Sequence, residues 1–239
     1  MQVFDRSVNT VTKVTLWAMI AGPALLLVAA SAMSRSPIGT KATIPIEQPV
    51  PFSHEHHSSE LGIDCRYCHQ SVETSSSAGY PPTHTCMSCH SQIWTSSPLL
   101  APVRNSYATV EPIRWHRVNA VPDFVYFNHS AHLRVGLNCN LCHGPVQRMQ
   151  LAYKGQPFFM SWCLECHRRP ENFVAPRGSV FNVYGKFQQG MRLTSEERAI
   201  QDGGTGYQRS GSELQAGRDL VQQYHIPKSQ LTDCWVCHR

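Results

Sequence analysis

The pattern C-x-x-C-H occurs five times in this chain of 239 residues and limits its structure more than any other feature. All ten cysteines belong to the pattern, in pairs that a histidine follows directly. Two thioether bonds to a porphyrin and an adjacent axial histidine make this the attachment signal of c-type haem. Zinc and thioredoxin-like sites use C-x-x-C but do not require the histidine. The sequence therefore predicts five covalently bound haem c groups and no free thiol.

The five motifs, numbered here as sites 1 to 5 in chain order, predict the covalent and proximal contacts residue by residue. The predicted thioether positions are Cys65, Cys68, Cys86, Cys89, Cys139, Cys142, Cys163, Cys166, Cys234 and Cys237. The predicted proximal ligands to the irons are His69, His90, His143, His167 and His238.

An apolar segment near the N-terminus, residues 14–33 (VTLWAMIAGPALLLVAASAM), carries no charge. As a helix it would span about 30 Å, the thickness of a bilayer core. The alternative is a cleaved signal peptide, for which Ala30, Ser31 and Ala32 form a plausible cleavage site. Because the segment is longer than the usual core of a signal peptide, we favour a single-pass anchor in the cytoplasmic (inner) membrane. Covalent haem is attached outside the cytoplasm, so we expect the haem domain on the periplasmic face.

An internal duplication relates the sequence FSHEHHSSELGIDCRYCH, from Phe52, to FNHSAHLRVGLNCNLCH, from Phe127. The matched pairs are Phe52 and Phe127, His54 and His129, His57 and His132, Gly62 and Gly136, and Cys65 and Cys139. The first three pairs are 75 positions apart and the last two are 74 apart, so the second copy is one residue shorter. Each copy is followed by a second haem motif, which indicates two repeated units that hold two haems each.

The predicted organisation follows from these segments. Its parts are an N-terminal transmembrane anchor (1–35), a tether (36–51), dihaem unit 1 (52–90), a linker (91–126), dihaem unit 2 (127–167) and a C-terminal extension with the fifth haem (168–239). We expect helices over 194–201 and 212–225, the second with Ser212 and Gln215 as a capping box, and a short strand at the end of the linker. Since the haem faces must serve as the core, the predicted fold is mostly irregular with short α-helices.

The distal side of each iron needs a ligand, and eight histidines lie outside the motifs. In F-x-H-x-x-H, one imidazole can serve the haem of its own unit, while the next, one helical turn further on, reaches a neighbour. The predicted distal ligands are therefore His54, His57, His129 and His132. His56 breaks the pattern and is interpreted as a solvated neighbour.

The fifth distal ligand is open at the level of sequence, with Met160 as the leading candidate. Met160 precedes its own motif, where the chain is already on the proximal side, so it could reach only an adjacent haem. The alternative is that Met160 fills space among Phe158, Phe159 and Trp162. The other candidates are His84, His116, His225 and Met149.

Long stretches of the chain resemble a known family. RWHRVNAVPDFVYFNHSAHLRVGLNCNLCHGPVQRMQLAY, FFMSWCLECHRRPE, TCMSCHSQIW and LTDCWVCHR resemble the pentahaem cytochrome c subunit of alternative complex III. This complex is a membrane quinol:electron-acceptor oxidoreductase that replaces the bc1 complex in some bacteria. The paired haem motifs also resemble the cytochrome c7/c3 group. Where the family often has histidine after Arg-Val, this chain has Asn119, so a ligand role is not carried over to that position.

The resemblance implies a membrane-anchored pentahaem cytochrome c that relays electrons from a quinol-oxidising membrane complex to a downstream acceptor. It implies membrane subunits, an iron–sulfur subunit and another cytochrome c as partners, and an electron-transfer subunit rather than a catalyst by itself. The alternatives are a stand-alone multihaem quinol dehydrogenase and a multihaem reductase with one open haem site. The net charge of +5 omits the haem propionates and no basic run is present, so no nucleic-acid partner is expected.

Overall fold

The computed structural model describes residues 4–183, 209 and 211–238, and the chain divides into two compact units, 1–42 and 43–239. The first unit contains helix α1 (Arg6–Arg35), which begins after Asp5 and continues through Pro23. A short helical turn, α2 (Pro37–Thr40), follows. Helix α1 is long and apolar enough to cross a membrane, and none of its apolar stretch is buried against the rest of the described chain. These properties are compatible with the predicted anchor.

The second unit is built from short helices and turns joined by irregular chain. In order, they are a π-helical turn (Glu55–Glu60), α3 (Cys65–Cys68), α4 (Thr83–His90), a 3-10 turn (Pro98–Leu100), α5 (Ala101–Thr109), α6 (His129–Arg134), α7 (Cys139–His143), a 3-10 turn (Val146–Arg148), α8 (Met160–Arg168), 3-10 turns Pro170–Asn172 and Arg177–Ser179, α9 (Gly211–Gln223) and α10 (Cys234–Cys237). The part of the chain that the structure describes has no strand, only an antiparallel bridge between Pro45 and Tyr153. The predicted fold class is confirmed.

The prediction of a strand at the end of the linker is wrong. Val125 donates its backbone N–H to the carbonyl of Pro122 at 2.9 Å, which closes a turn where the strand would run. Tyr126 donates its backbone N–H to the carbonyl of Cys237 at 2.8 Å instead of pairing with a neighbouring strand. The linker therefore ends against the fifth haem motif.

Two of the motif helices begin at a side-chain cap that is local in sequence. The Asp64 carboxylate accepts from the backbone N–H of Arg66 at 2.8 Å, and the Asn138 amide oxygen accepts from that of Asn140 at 2.9 Å. Asp and Asn are among the best N-cap residues because they satisfy backbone donors that the first turn leaves free. Since residues three apart share a helix face, both cysteines of each motif face the same way.

The two copies of the duplication differ in helix type, and the extra residue of the first copy accounts for it. The second copy forms the α-helix α6, whereas the first forms the π-helical turn, in which Leu61 donates to the carbonyl of His56, five residues back, at 3.1 Å. A π-turn accommodates one more residue than an α-turn over the same length. The one-residue difference is therefore absorbed between the candidate distal histidines and the first cysteine.

The C-terminal extension packs through helix α9. A Cβ on Gly217 would lie 2.0 Å from the carbonyl oxygen of Glu171, so α9 approaches the turn Pro170–Asn172 closely. Lys228 pairs with the Glu171 carboxylate at 2.8 Å. The helix predicted over 212–225 is confirmed, but it begins at Gly211 and Gln215 donates to Asp219 at 2.8 Å instead of closing a capping box. The helix predicted over 194–201 lies outside the described residues.

Candidate functional site

A phenylalanine positions the two candidate distal histidines in each copy of the duplication. Phe52 meets the ring of His54 edge-on at 4.9 Å and stacks on His57 at 4.4 Å. Phe127 meets His129 edge-on at 4.8 Å and stacks on His132 at 4.4 Å. The same packing occurs in both copies, so the phenylalanine of F-x-H-x-x-H holds each pair of imidazoles in one arrangement.

Three pairs, each made of one predicted distal and one predicted proximal histidine, face each other at one common distance. The ring centroids are 6.2 Å apart in the pairs His57 and His90, His129 and His143, and His132 and His167. A metal-bound imidazole nitrogen lies about 2.0–2.1 Å from the ion, with the ring centre about 1.1 Å further away. Two imidazoles on opposite sides of one iron therefore have centroids roughly 6.3 Å apart. The three pairs fit a haem iron between them.

The protonation of these imidazoles also fits iron binding. In seven of the candidate axial histidines Nδ1 lies 2.7–3.3 Å from a backbone carbonyl oxygen, which can only accept a hydrogen bond. The histidines and the residues that supply the carbonyls are His57 and Ser53, His69 and Gly79, His90 and Ile93, His129 and Ser76, His132 and Asn128, His167 and Leu231, and His238 and Phe124. Because Nδ1 carries the proton, the lone pair of Nε2 is left for a metal.

Sequence reasoning missed these carbonyl partners. Ser53 and Asn128 are equivalent positions of the duplication, each four residues before its histidine, so the repeat contains a signal for those two. The partners of His129, His167 and His238 come from segments at least 53 residues away along the chain. A backbone carbonyl carries no residue-type signal, so only the folded chain identifies them.

His54, the fourth candidate distal histidine of the duplication, is buried and lies near other candidate axial histidines. Burial, followed by the nearby His69 and His57, lowers the pKa of His54 to about 4. Burial likewise lowers the pKa of His143 to about 4, with His129, His69 and His54 nearby. Buried histidines with such a lowered pKa are neutral at physiological pH, and neutral imidazole is the form that binds metals. His54 therefore lies near His69, the predicted proximal ligand of site 1.

The thiols of neighbouring motifs lie close together, in an order different from the chain order. Cys65 and Cys139 hydrogen-bond to each other, which lowers the pKa of Cys65 and raises that of Cys139. Burial, and then the charge of a nearby thiol, raises the pKa of three further cysteines: Cys68 near Cys86, Cys142 (to about 12) near Cys163, and Cys163 near Cys237. These neighbours follow one another in the order 2, 1, 3, 4, 5, so the first site of dihaem unit 1 lies beside the first site of dihaem unit 2.

Site 5 lies at the end of this series. The ring of His238 is 5.7 Å from that of Phe124, and its Nδ1 is held by the carbonyl of the same residue. Met160 begins α8 one turn before Cys163, whose thiol lies beside Cys237. Met160 is 60% exposed, so packing among aromatic side chains does not account for it. Phe158 and Trp162 pack on each other instead, at 5.6 Å.

The other candidates for the fifth distal ligand differ in their surroundings. Nδ1 of His116 lies 2.6 Å from the carbonyl of Glu47, the same arrangement as in the seven imidazoles above. Met149 is only 2% exposed and packs in the interior. His84 and His225 are exposed. Nδ1 of His56 lies 2.7 Å from the Glu60 carboxylate, which is the environment of a surface histidine.

A zinc site is not supported by the geometry. Structural zinc takes four converging Cys, His or carboxylate ligands. Within residues 4–183, 209 and 211–238, no group of three or more His, Cys, Asp or Glu side chains could hold a metal ion. Thiol pairs on one helix face and single imidazoles facing across a gap match haem attachment instead.

These features define a multihaem c-type cytochrome. No protein-family model matches the chain. It is 34% identical over 142 residues to a curated protein described as "Menaquinone reductase, multiheme cytochrome c subunit" from Nitratidesulfovibrio vulgaris, which covers 51% of this chain and 68% of that relative. The chain belongs to the multihaem cytochrome c family that includes this subunit, and it carries covalently bound haem c.

Proposed function

We propose that this protein is the membrane-anchored pentahaem cytochrome c subunit of a quinol-oxidising complex of the alternative complex III type, and that it relays electrons to a downstream acceptor. The observation that carries the proposal is the set of three imidazole pairs that face each other 6.2 Å apart, combined with five thiol pairs that follow one another as neighbours. A series of adjacent haem sites suits electron transfer over a distance. The relative named as a menaquinone reductase subunit supports a quinone-linked partner.

The assignment of residues to the five sites is part of the proposal. Site 1 takes Cys65, Cys68, His69 and His54; site 2 takes Cys86, Cys89, His90 and His57; site 3 takes Cys139, Cys142, His143 and His129; site 4 takes Cys163, Cys166, His167 and His132; and site 5 takes Cys234, Cys237, His238 and Met160. Bound haem supplies one-electron chemistry. The chain supplies covalent attachment, axial donors of fixed orientation and hydrogen bonds that tune those donors.

The membrane partners are also proposed. Helix α1 anchors the protein in the cytoplasmic membrane, with the residues after it on the periplasmic face. Integral membrane subunits, an iron–sulfur subunit and another cytochrome c complete the complex. The protein is then an electron-transfer subunit and not a catalyst by itself.

A second candidate differs in the direction of electron flow. Because the relative's name describes reduction of menaquinone, the complex could deliver electrons to the quinone pool instead of withdrawing them. The residues of the haem sites are the same in both cases. Only the potentials of the haems and the chemistry of the partner at each end distinguish the two.

The test uses the full-length protein, affinity-tagged and extracted from native membranes in mild detergent. We expect five haems per chain by pyridine haemochromogen assay, several co-purifying membrane subunits by mass spectrometry, and reduction of the haems by a soluble menaquinol analogue. Transfer only from pre-reduced haems to the quinone favours the second candidate. Rapid reduction of the subunit by quinol after removal of its partners supports a stand-alone dehydrogenase and rejects the proposal. A native high-spin ferric haem supports a reductase with an open site.

A further inference from the structure

Residues 71–79, SVETSSSAG, form a loop after site 1 that we call the serine strap. Two of its backbone carbonyls accept hydrogen bonds from imidazoles of different sites. Gly79 accepts from Nδ1 of His69, in site 1, at 2.9 Å. Ser76 accepts from Nδ1 of His129, in site 3, at 2.8 Å. Sites 1 and 3 are the pair whose thiols, Cys65 and Cys139, are in contact across the junction of the two units.

The strap also connects dihaem unit 1 to dihaem unit 2 through backbone hydrogen bonds. The backbone N–H of His129 donates to the carbonyl of Ser76, and that of Ser130 donates to the carbonyl of Ser75, both at 3.2 Å. Ser130 itself is buried. The start of α6 is therefore held against the strap at two successive residues, which fixes where the imidazole of His129 points.

Hydroxyl groups of the strap hold the two accepting carbonyls in place. The Ser71 hydroxyl donates to the carbonyl of Ser77 at 3.0 Å, and the Ser77 hydroxyl accepts from the backbone N–H of Gly79 at 3.3 Å. The Ser75 hydroxyl accepts from the backbone N–H of Ser77 at 3.2 Å. Buried Val72 anchors the beginning of the loop. A serine-rich loop would otherwise be flexible, and these bonds give it one shape.

The strap has no counterpart in the second copy of the duplication. The chain after His143 reads GPVQRMQLA and contains no serine. His54, which is the repeat equivalent of His129, has an Nδ1 that is buried without a hydrogen-bond partner in the described chain. The contact between the strap and His129 is therefore specific to the junction and is not a by-product of the repeat.

We propose that the serine strap is a shared positioning element that tunes the axial donors of sites 1 and 3 together. A hydrogen bond from Nδ1 to a carbonyl fixes the ring orientation and makes Nε2 a stronger donor to iron. A stronger donor favours the ferric state and lowers the reduction potential. Because one loop supplies both acceptors, a change in its shape alters both sites at once. This inference rests on the site assignments of the proposed function.

The experiment replaces single hydroxyl groups in the full-length holoprotein. Ser77→Ala and Ser71→Ala each remove one bond that supports an accepting carbonyl. Thr74→Ala is the matched control, because the Thr74 hydroxyl is in the same loop and donates only to the carbonyl of Ser71 at 3.4 Å. Ser77→Thr keeps the hydroxyl and should restore wild-type behaviour. The readouts are potentiometric titration and the paramagnetically shifted haem-methyl resonances, which report on each haem separately.

We expect two of the five haems to shift to higher potential in Ser77→Ala and Ser71→Ala, with altered methyl resonances for the same two, and no shift in Thr74→Ala. A shift of one haem alone, of none, or of all five overturns the inference. The haem count of each variant separates this failure from failure of the proposed function. Five haems with unmoved potentials contradict only the strap, whereas fewer than five in the wild type contradict the site assignments and the strap with them.

Discussion

The rings of His129 and His143 face each other with their centroids 6.2 Å apart and their planes only 5° from parallel. His57 and His90 have the same separation, but their planes are inclined at 66°. The pair of His132 and His167 lies between these extremes, at 27°. Distance is thus common to the three pairs, whereas ring orientation differs from site to site, and carbonyls from different segments hold Nδ1 in five of the six rings.

This difference in ring orientation predicts two kinds of ferric spectrum. Parallel imidazoles both donate into one of the two iron orbitals dxz and dyz, which separates the energies of these orbitals. Crossed imidazoles donate into both, which keeps the two energies close and increases the anisotropy of g. Electron paramagnetic resonance of the oxidised protein should show rhombic low-spin signals for sites 3 and 4 and a strongly anisotropic low-spin signal for site 2. A spectrum with only rhombic low-spin signals would contradict the prediction for site 2.

The adjacent residues His56 and His57 allow a matched test of ligand assignment. His57 faces His90, whereas the Nδ1 of His56 is held by a carboxylate and its ring stacks on Trp94 at 5.9 Å. Thioether ligation raises the potential of a haem, so His57→Met should raise one of the five potentials by on the order of 0.1 V, well within the range of about 0.8 V that axial ligands span.

The control for that experiment is the neighbouring substitution. His56→Met should leave all five midpoint potentials at their wild-type values in a spectroelectrochemical titration. A shifted haem in His56→Met, or an unchanged set in His57→Met, would show that the two histidines have been assigned the wrong way round.

Met160 is the subject of a third prediction. Its exposure and its place one turn before Cys163 favour ligation at site 5 over packing. Met160→Leu should convert one low-spin ferric haem to high spin, and Met160→His should lower one potential because imidazole is the stronger donor to ferric iron. The alternative ligand is His116. If His116→Leu produces the high-spin haem and Met160→Leu does not, His116 is the ligand.

The candidate haem-binding residues could be named from sequence because their signal is short and local. C-x-x-C-H needs only one helical turn, and the duplication indicates the candidate distal histidines by repeating them in one register. The extra residue of the first copy is visible in sequence too, and a π-helical turn is the form it takes. The fold class followed from the same facts, since so short a chain around several haems has little room for layers of secondary structure.

The arrangement of the sites could not be predicted in the same way. Contact between Cys65 and Cys139 joins residues 74 positions apart, and nothing about either cysteine identifies its neighbour. The carbonyl of Leu231, which accepts from Nδ1 of His167, likewise has no signal in the sequence. The expected strand near residue 125 failed for a related reason, because its backbone donors bond to Pro122 and to the fifth motif. Tertiary contacts of the main chain decide these features.

The equivalent glycines of the two copies give the last prediction. Gly62 and Gly136 both have positive φ, +68° and +81°, so alanine at either position incurs a left-handed backbone cost of about 1 kcal/mol. Around Gly62 there is open space, whereas a Cβ on Gly136 would lie 1.7 Å from the carbonyl oxygen of Ala175. That carbonyl belongs to the main chain and cannot rotate away as a side chain would.

Gly136→Ala should therefore destabilise the protein by about 2–4 kcal/mol, the sum of the backbone cost and of overpacking, and Gly62→Ala by only about 1 kcal/mol. Thermal unfolding of the two holoproteins, followed by circular dichroism at one heating rate, measures the difference. Wild-type haem content in both variants ensures that the comparison concerns packing and not loss of a haem. Equal midpoints for the two variants would mean that the segment around Ala175 does not press on the second copy, and that the two halves of the duplication have the same surroundings.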